Sequence, residues 1–250
     1  MTGTPPTLTP GSTATGAPVS PAVLQAIATS LDSVPGVSYT FAVSGSDMMS
    51  AWPSGQGVVQ GSPDPGLDAQ IQQEMLMGYN SGSMEFRSVG GALYVRSARY
   101  DQGKAWALVP ADESTNPQAQ GMHAQVGQLD PRLQLKLVLA SPNMHETTEG
   151  TSLPGTTHYV GEVAGAQLAS ASGLDPGSRA ELAAGYPSLA IRALEVDVWV
   201  DAQDHPVRLD IISPTPAGSL AMQMNFSGYG TPAGVSPPAA DDTIPLPSSS

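Results

Sequence analysis

Every second residue is apolar in three consecutive stretches near the C-terminal end: Leu194, Val196, Val198 and Val200, then Val207, Leu209 and Ile211, then Leu220, Met222, Met224 and Phe226. Successive side chains of a strand point to opposite faces, so a period of two places each set on one side of a half-buried strand. Together the three read as an antiparallel meander with one apolar face. That face has to be covered by the chain's own helices or by something else.

The rest of the pattern supplies both strands and covers. Val23, Leu24, Ile27, Leu31 and Val34 have helical spacing over Pro21 to Val34, with Ser20 as N-cap, Pro21 in the first turn and Pro35 as stop. Val37, Tyr39, Phe41 and Val43 then alternate as a first strand. Gly57 to Gln60 and Ala69 to Met75 are weaker strand candidates; Met84 to Ser88 and Ala92 to Arg96 form a hairpin that turns at Gly90-Gly91. Lys104 to Val109 is a strand ending at Pro110, and His158 to Val163 is another. Helices are expected at Pro131 to Ala140, capped by Asp130, and at Pro176 to Ala184, capped by Asp175. The result is an α+β domain with a single large antiparallel sheet of about 8–11 strands and two or three helices. An open twisted sheet of that width tends to curl.

Residues 1–20 are nearly all Thr, Pro, Gly, Ser and Ala, which cannot bury enough surface to offset the entropy of ordering. They read as a tether, residues 21–236 as the folded domain, and residues 237–250 as a Pro/Ser-rich tail in which Ile244 and Leu246 could form a last extended segment.

Charge excludes several partners. Nine basic residues stand against 22 acidic ones, a net charge of −13, so no basic stripe exists to displace counterions from nucleic acid. The same balance disfavours electrostatic adsorption to an anionic membrane surface but leaves a covalent lipid anchor open. There is no cysteine, hence no disulfide or thiol chemistry, and no apolar run long enough to span a bilayer.

Reactive constellations are equally sparse. His123, His145, His158 and His205 show no metal-ligand spacing, and no Gly-x-Ser-x-Gly elbow occurs. Gly55-Gln-Gly57-Val-Val-Gln-Gly61 misses the dinucleotide fingerprint by one residue and reads as a loop and weak strand. Glu195, Asp197 and Asp201 alternate beside Trp199, with Asp204 in the following turn, and are expected on a solvated outer face. The chain is therefore read as a non-enzyme with no metal and no cofactor. Its ten methionines suit either a gap-filled core or a surface that repacks around apolar ligands.

One stretch carries a resemblance. Val196-Asp-Val-Trp-Val-Asp201, then Pro206-Val-Arg208, then Met224-Asn-Phe-Ser-Gly-Tyr-Gly230 with its proline-rich sequel, resembles the actinobacterial LppX/LprAFG lipoproteins. Members pair a W-[IV]-D … P-x-R hairpin with a strand ending F-S-x-Y-G. The N-terminal half fits more loosely, through Val89-Gly-Gly-Ala-Leu-Tyr-Val95 and Lys104-Ala-Trp106. The resemblance implies a LolA/LolB-like half-barrel with helices over its concave side, enclosing an apolar cavity for a lipid or glycolipid that is moved or presented in the cell envelope. It also implies an extracytoplasmic, membrane-anchored lipoprotein whose acylated cysteine would precede Met1.

On that reading the concave wall comprises Val196, Val198, Val200, Leu209, Ile211, Met222, Met224 and Phe226, with Phe41, Val43, Leu93 and Val95 opposite. Alternation groups these side chains without saying which face is concave, so Trp199 stays open as a pocket residue. The alternative is a tethered sensor or interaction module with a self-packed sheet and an envelope protein as partner.

Overall fold

The strands of the computed structural model are β1 (Val37–Gly45), β2 (Pro53–Gln60), β3 (Gly66–Gln73), β4 (Ser83–Val89), β5 (Ala92–Ser97), β6 (Trp106–Val109), β7 (His145–Thr147), β8 (Thr157–Ala164), β9 (Ala193–Val200), β10 (Pro206–Thr215), β11 (Gly218–Ser227) and β12 (Thr243–Pro245). The helices are α1 (Pro21–Thr29), α2 (Pro117–Leu129), α3 (Pro131–Leu135), α4 (Leu137–Ala140), α5 (Gly165–Leu168) and α6 (Pro176–Gly185). The structure describes residues 16–45, 53–73, 83–98, 105–110, 116–148, 153–186, 193–215 and 218–246. Met75, Met77, Lys104 and most of the tether lie outside these residues.

The class is α+β, with one open sheet in the order β12-β6-β5-β4-β3-β2-β1-β11-β10-β9-β8-β7. It differs from expectation in three ways. The sheet is mixed, because β12 runs parallel to β6, with Thr243 beside Trp106 and Pro245 beside Leu108. Among the described residues it has twelve strands, because β7 and the segment around Ile244, as β12, both join the ladder. More helices form than the two or three expected: Pro117–Leu129 is helical, and the stretch from Pro131 to Ala140 breaks at Lys136 into α3 and α4.

Contacts divide the chain into two compact units. The first comprises residues 1–30, 42–52 and 135–225. Within it β7 to β11 are antiparallel neighbours, and Pro18 makes an isolated bridge to His145 just before α1. Ser20 caps α1, its hydroxyl accepting from the Val23 amide, and Pro occupies the first turn. Helix α1 packs on α4, α4 and α5 pack on β8, and α5 packs on α6.

The second unit comprises residues 31–41, 53–134 and 226–250. Its hairpins β2–β3, β3–β4 and β4–β5 are in direct register, so Gly57, Ala69, Phe86, Val95 and Ala107 form one cross-strand row and Val59, Leu67, Ser88, Leu93 and Val109 the next. Apart from Gly57 and Ser88, these residues are buried. The β4–β5 turn needs two residues at positive φ, which Gly90 (59°) and Gly91 (78°) supply. Glycine does a different job in β2. A Cβ on Gly55 would lie 2.7 Å from the Phe41 ring, and one on Gly57 2.7 Å from the Tyr39 ring. The two aromatic rings thus occupy the space that side chains would fill, and the segment expected as a loop and weak strand is strand throughout Pro53–Gln60.

The opposite side of this ladder is polar. Two guanidiniums, those of Arg87 and Arg96, lie over the Trp106 ring, each 4.7 Å from its centroid. Arg87 pairs in turn with Asp68, and Arg96 with Glu85. The C-terminal segment straps this unit: the Val235 amide donates to Gln60 Oε1 (3.1 Å), β12 covers the edge of β6, and the Leu246 amide donates to the Leu108 carbonyl (3.1 Å).

Helix α2 contains Gly121 at an exposed position where an added Cβ meets nothing within 4 Å. Gly121→Ala is expected to stabilise the protein by about 0.5–1 kcal/mol, chiefly by restricting the unfolded chain. Urea unfolding at a single temperature checks it: a midpoint that falls would mean the helix is not formed in solution.

Candidate functional site

The meander of the first unit carries the site. Its register sets Tyr159, Val198, Leu209 and Met224 in one row across β8 to β11, and Gly161, Val196, Ile211 and Met222 in the next. Cross-strand partners share a face, so these rows make a continuous apolar surface four strands wide. Val200 ends it opposite Pro206, where a bulge in β10 shifts the register before Arg208. Seven of the proposed wall residues, Val196, Val198, Val200, Leu209, Ile211, Met222 and Met224, are therefore brought together. Val43 belongs to the same unit and is half-buried. Phe41, Leu93, Val95 and Phe226 are buried in the second unit instead.

The covering layer sits directly on this face. A Cβ on Gly161 would lie 2.3 Å from Ser141 Oγ and 3.1 Å from Met144 Cα, so the turn after α4 touches the sheet where glycine leaves room. Two bonds pin it: Ser141 Oγ donates to the Glu162 carbonyl (3.1 Å) and the Glu162 amide donates to Asn143 Oδ1 (2.9 Å). Leu137 and Val138 of α4, Leu168 of α5 and Leu182 of α6 are buried with the sheet. Val196, Val198, Leu209 and Met224 have 0% exposure, which leaves no water-sized space beside them. At those four residues the apolar face is filled by the protein's own side chains, whereas Met222 and Tyr159 at its margins are partly exposed.

The other side of the same strands is charged yet also buried. His158 stacks on Trp199, with centroids 4.1 Å apart and planes within 9°, and Arg208 lies 4.9 Å over the same ring. His158 Nε2 is 2.8 Å from Asp197 Oδ1, while Arg208 grips both oxygens of Asp210. Asp197 and Asp210 are direct cross-strand partners. The solvated outer face expected for Asp197 is thus corrected: it is 8% exposed and Asp210 only 1%, with His158 set against the first and Arg208 against the second. Burial pushes the Asp210 carboxyl above its ordinary 3.8 against the opposing pull of Arg208, and the charge of Asp197 pushes the same way. Trp199 belongs to this side and not to the apolar wall.

One arrangement has the outline of a nucleophile with a base. Ser178 Oγ lies 2.8 Å from Lys136 Nζ and 2.7 Å from Asp175 Oδ2. The hydroxyl accepts from the ammonium and donates to the carboxylate, and Asp175 also caps α6 through the Ser178 amide at 2.9 Å. These bonds hold the Asp175 carboxyl well below its ordinary range. Lys136 pairs directly with Asp175, so this geometry is a helix cap with an ammonium counter-ion. No grouping of three or more His, Asp or Glu fit to hold a metal ion occurs among the described residues, nor is any helix there long and apolar enough to cross a membrane.

Neither a family model nor a curated protein matches the sequence. Among solved structures, the chain is similar to LprF from Mycobacterium bovis, at 15% identity over 90% of this chain and 100% of that one, with a TM-score of 0.52. It is also similar to the lipoprotein LppX of Mycobacterium tuberculosis, at 18% identity over 87% of this chain and 100% of that one, with a TM-score of 0.48. The resemblance read from the C-terminal strands therefore holds at the level of the fold, which this chain shares with LprF.

Proposed function

We propose that this chain is the folded domain of an extracytoplasmic, membrane-anchored lipoprotein that binds a lipid or glycolipid without catalysis, for transport or presentation in the cell envelope. The observation that carries the reading is the unbroken apolar surface of Val196, Val198, Leu209, Ile211, Met222 and Met224 beneath short helices. The fold shared with LprF and the tryptophan and proline motifs of the meander support it. Because Val196, Val198 and Leu209 are fully covered, an acyl chain that reaches them has to displace α4 and α5, and each of these is a four-residue helix with little stability of its own. Sheltering ten methylenes gains roughly 8 kcal/mol, from which the lost contacts of the displaced helices are subtracted. The expected product is reversible capture.

The test is a photoactivatable fatty acid or phospholipid incubated with the purified protein, followed by peptide mass spectrometry. Label in the peptides containing Val196 to Val200, Leu209 to Ile211 and Met222 to Met224 is expected, together with lipid that co-purifies from a membrane-containing host. A protein that is reproducibly empty and unlabelled in these peptides would instead support the second reading, a self-packed sensor or interaction module. The complete burial of Val196, Val198 and Leu209 is the observation that favours that alternative.

A further inference from the structure

The second unit holds an open groove of about 490 Å³ on the side away from its apolar rows. Its walls are Ser38 and Thr40 of β1, Gln56 of β2, Asp68 and Gln70 of β3, and Glu85 of β4. The floor is backbone at Tyr39 and Gly57, whose side positions face the core. Short hydroxyl side chains beside long amides and carboxylates produce the depression. Its volume falls in the range of small-molecule sites, about 300–1,000 Å³.

The lining selects a ligand by chemistry. Arg87 directs both Nε and Nη2 to a single oxygen of Asp68, Oδ2, and Arg96 bonds one oxygen of Glu85, Oε2. Each carboxylate keeps its second oxygen, Oδ1 and Oε1, as an acceptor. Two carboxylates and no basic residue line the groove, so phosphate and carboxylate ligands find no charged partner there. The arginines behind them already offset the negative charge, so a cationic ligand gains little. Val58 is the one aliphatic side chain in the lining, among Ser38, Thr40, Gln56, Asp68, Gln70 and Glu85. Gln56, Gln70, Ser38 and Thr40 both donate and accept. A neutral ligand with many hydroxyls matches such a surface, because each hydroxyl also does both.

We propose that this groove binds a neutral, hydroxyl-rich ligand, an oligosaccharide, through the side-chain amides of Gln56 and Gln70 and the outward oxygens of Asp68 and Glu85. The site lies wholly within the second unit and does not depend on the lipid reading of the first.

The experiment is a titration of the isotope-labelled full chain with maltohexaose, chitohexaose and mannohexaose, each to about 10 mM, the range in which weak binding of a few kcal/mol registers. Backbone and side-chain amide resonances are followed by two-dimensional NMR. Shifts confined to Ser38, Thr40, Gln56, Gln70 and their neighbours are expected with at least one of the three. Gln56→Ala and Gln70→Ala, both on the polar side of the sheet, are each expected to weaken that binding roughly five- to tenfold, as loss of one hydrogen bond does. Three outcomes overturn the proposal: no shift with any sugar, shifts mapping elsewhere, or shifts in the groove with an oligolysine and none with a sugar. Equal affinity of both alanine variants and the parent would overturn it as well, since their folded spectra would show the groove intact.

Discussion

Arg208→Met is expected to cost about 3–5 kcal/mol of stability at neutral pH, the penalty of leaving one buried charge without its partner. The partner is Asp210, 1% exposed and gripped through both oxygens. Adding Asp210→Leu to Arg208→Met should return most of that loss, because a buried ion pair replaced by apolar groups of similar size is often neutral or stabilising. The sign of the pH dependence separates this cause from simple loss of packing against Trp199. Asp210 already has its carboxyl raised above 3.8 by burial, and removing the guanidinium that pulls it down raises it further. As pH falls from neutral toward 3.8, the native variant takes up a proton that the unfolded chain does not, so the native state gains stability relative to neutral pH. The penalty of Arg208→Met should therefore shrink on acidification, whereas the double variant, lacking the carboxylate, should show no such recovery. Linear extrapolation of urea unfolding at three pH values measures both. A cost that stays constant with pH would place the loss in the contact with the Trp199 ring rather than in the charge.

Gly57→Ala is expected to cost about 1–3 kcal/mol, as overpacking does in a well-filled core. The new Cβ would lie 2.6 Å from the Asp68 carbonyl oxygen and 2.7 Å from Tyr39 Cε1, and one of these is backbone that cannot turn aside. Gly55→Ala should cost at least as much, with the Gln70 carbonyl oxygen at 2.1 Å and the Phe41 ring at 2.7 Å. The losses should be read as thermal midpoints beside Gly121→Ala, the glycine with free space around it. If all three glycines respond alike, the aromatic rings are not seated over β2. Adding Tyr39→Leu to Gly57→Ala should recover only the ring's share of the strain, leaving the part owed to the backbone.

The parts of this molecule that were legible in sequence are those written in local pattern. Alternation from Leu194 to Phe226 gave the meander and its shared apolar face, and the Ser20-Pro21 and Asp175-Pro176 pairs located the starts of α1 and α6. Helix α2 carries a faint signal, with Asn116-Pro117 at its start and Met122, Val126 and Leu129 at spacings of four and three. Its interior, diluted by Gly121, Gly127 and four glutamines, hid that stripe. The burial of Asp197 could not be read, because period two assigns a face without saying what roofs it. The roof comes from His158 and Arg208, brought beside Trp199 from the two flanking strands. The glycines of β2 belong to the same category, since the rings that explain them come from β1. Nor does any local pattern in Ser38, Gln56, Gln70 and Glu85 announce a groove. Three hairpin registers are needed to gather them.

The strap formed by β12 has a consequence for the birth of the protein. A chain synthesised from its N-terminal end presents β6 long before Thr243 to Pro245 exist to pair with it. Until then β6 is a bare margin of the ladder that carries the exposed Leu108, and such margins invite pairing with neighbouring chains. The hazard ends only when the last strand arrives and seals the margin. A nascent form stalled short of residue 243 would be nearly complete in fold and yet sticky, which makes escorting of late intermediates, rather than of early ones, the demanding step in this protein's biogenesis.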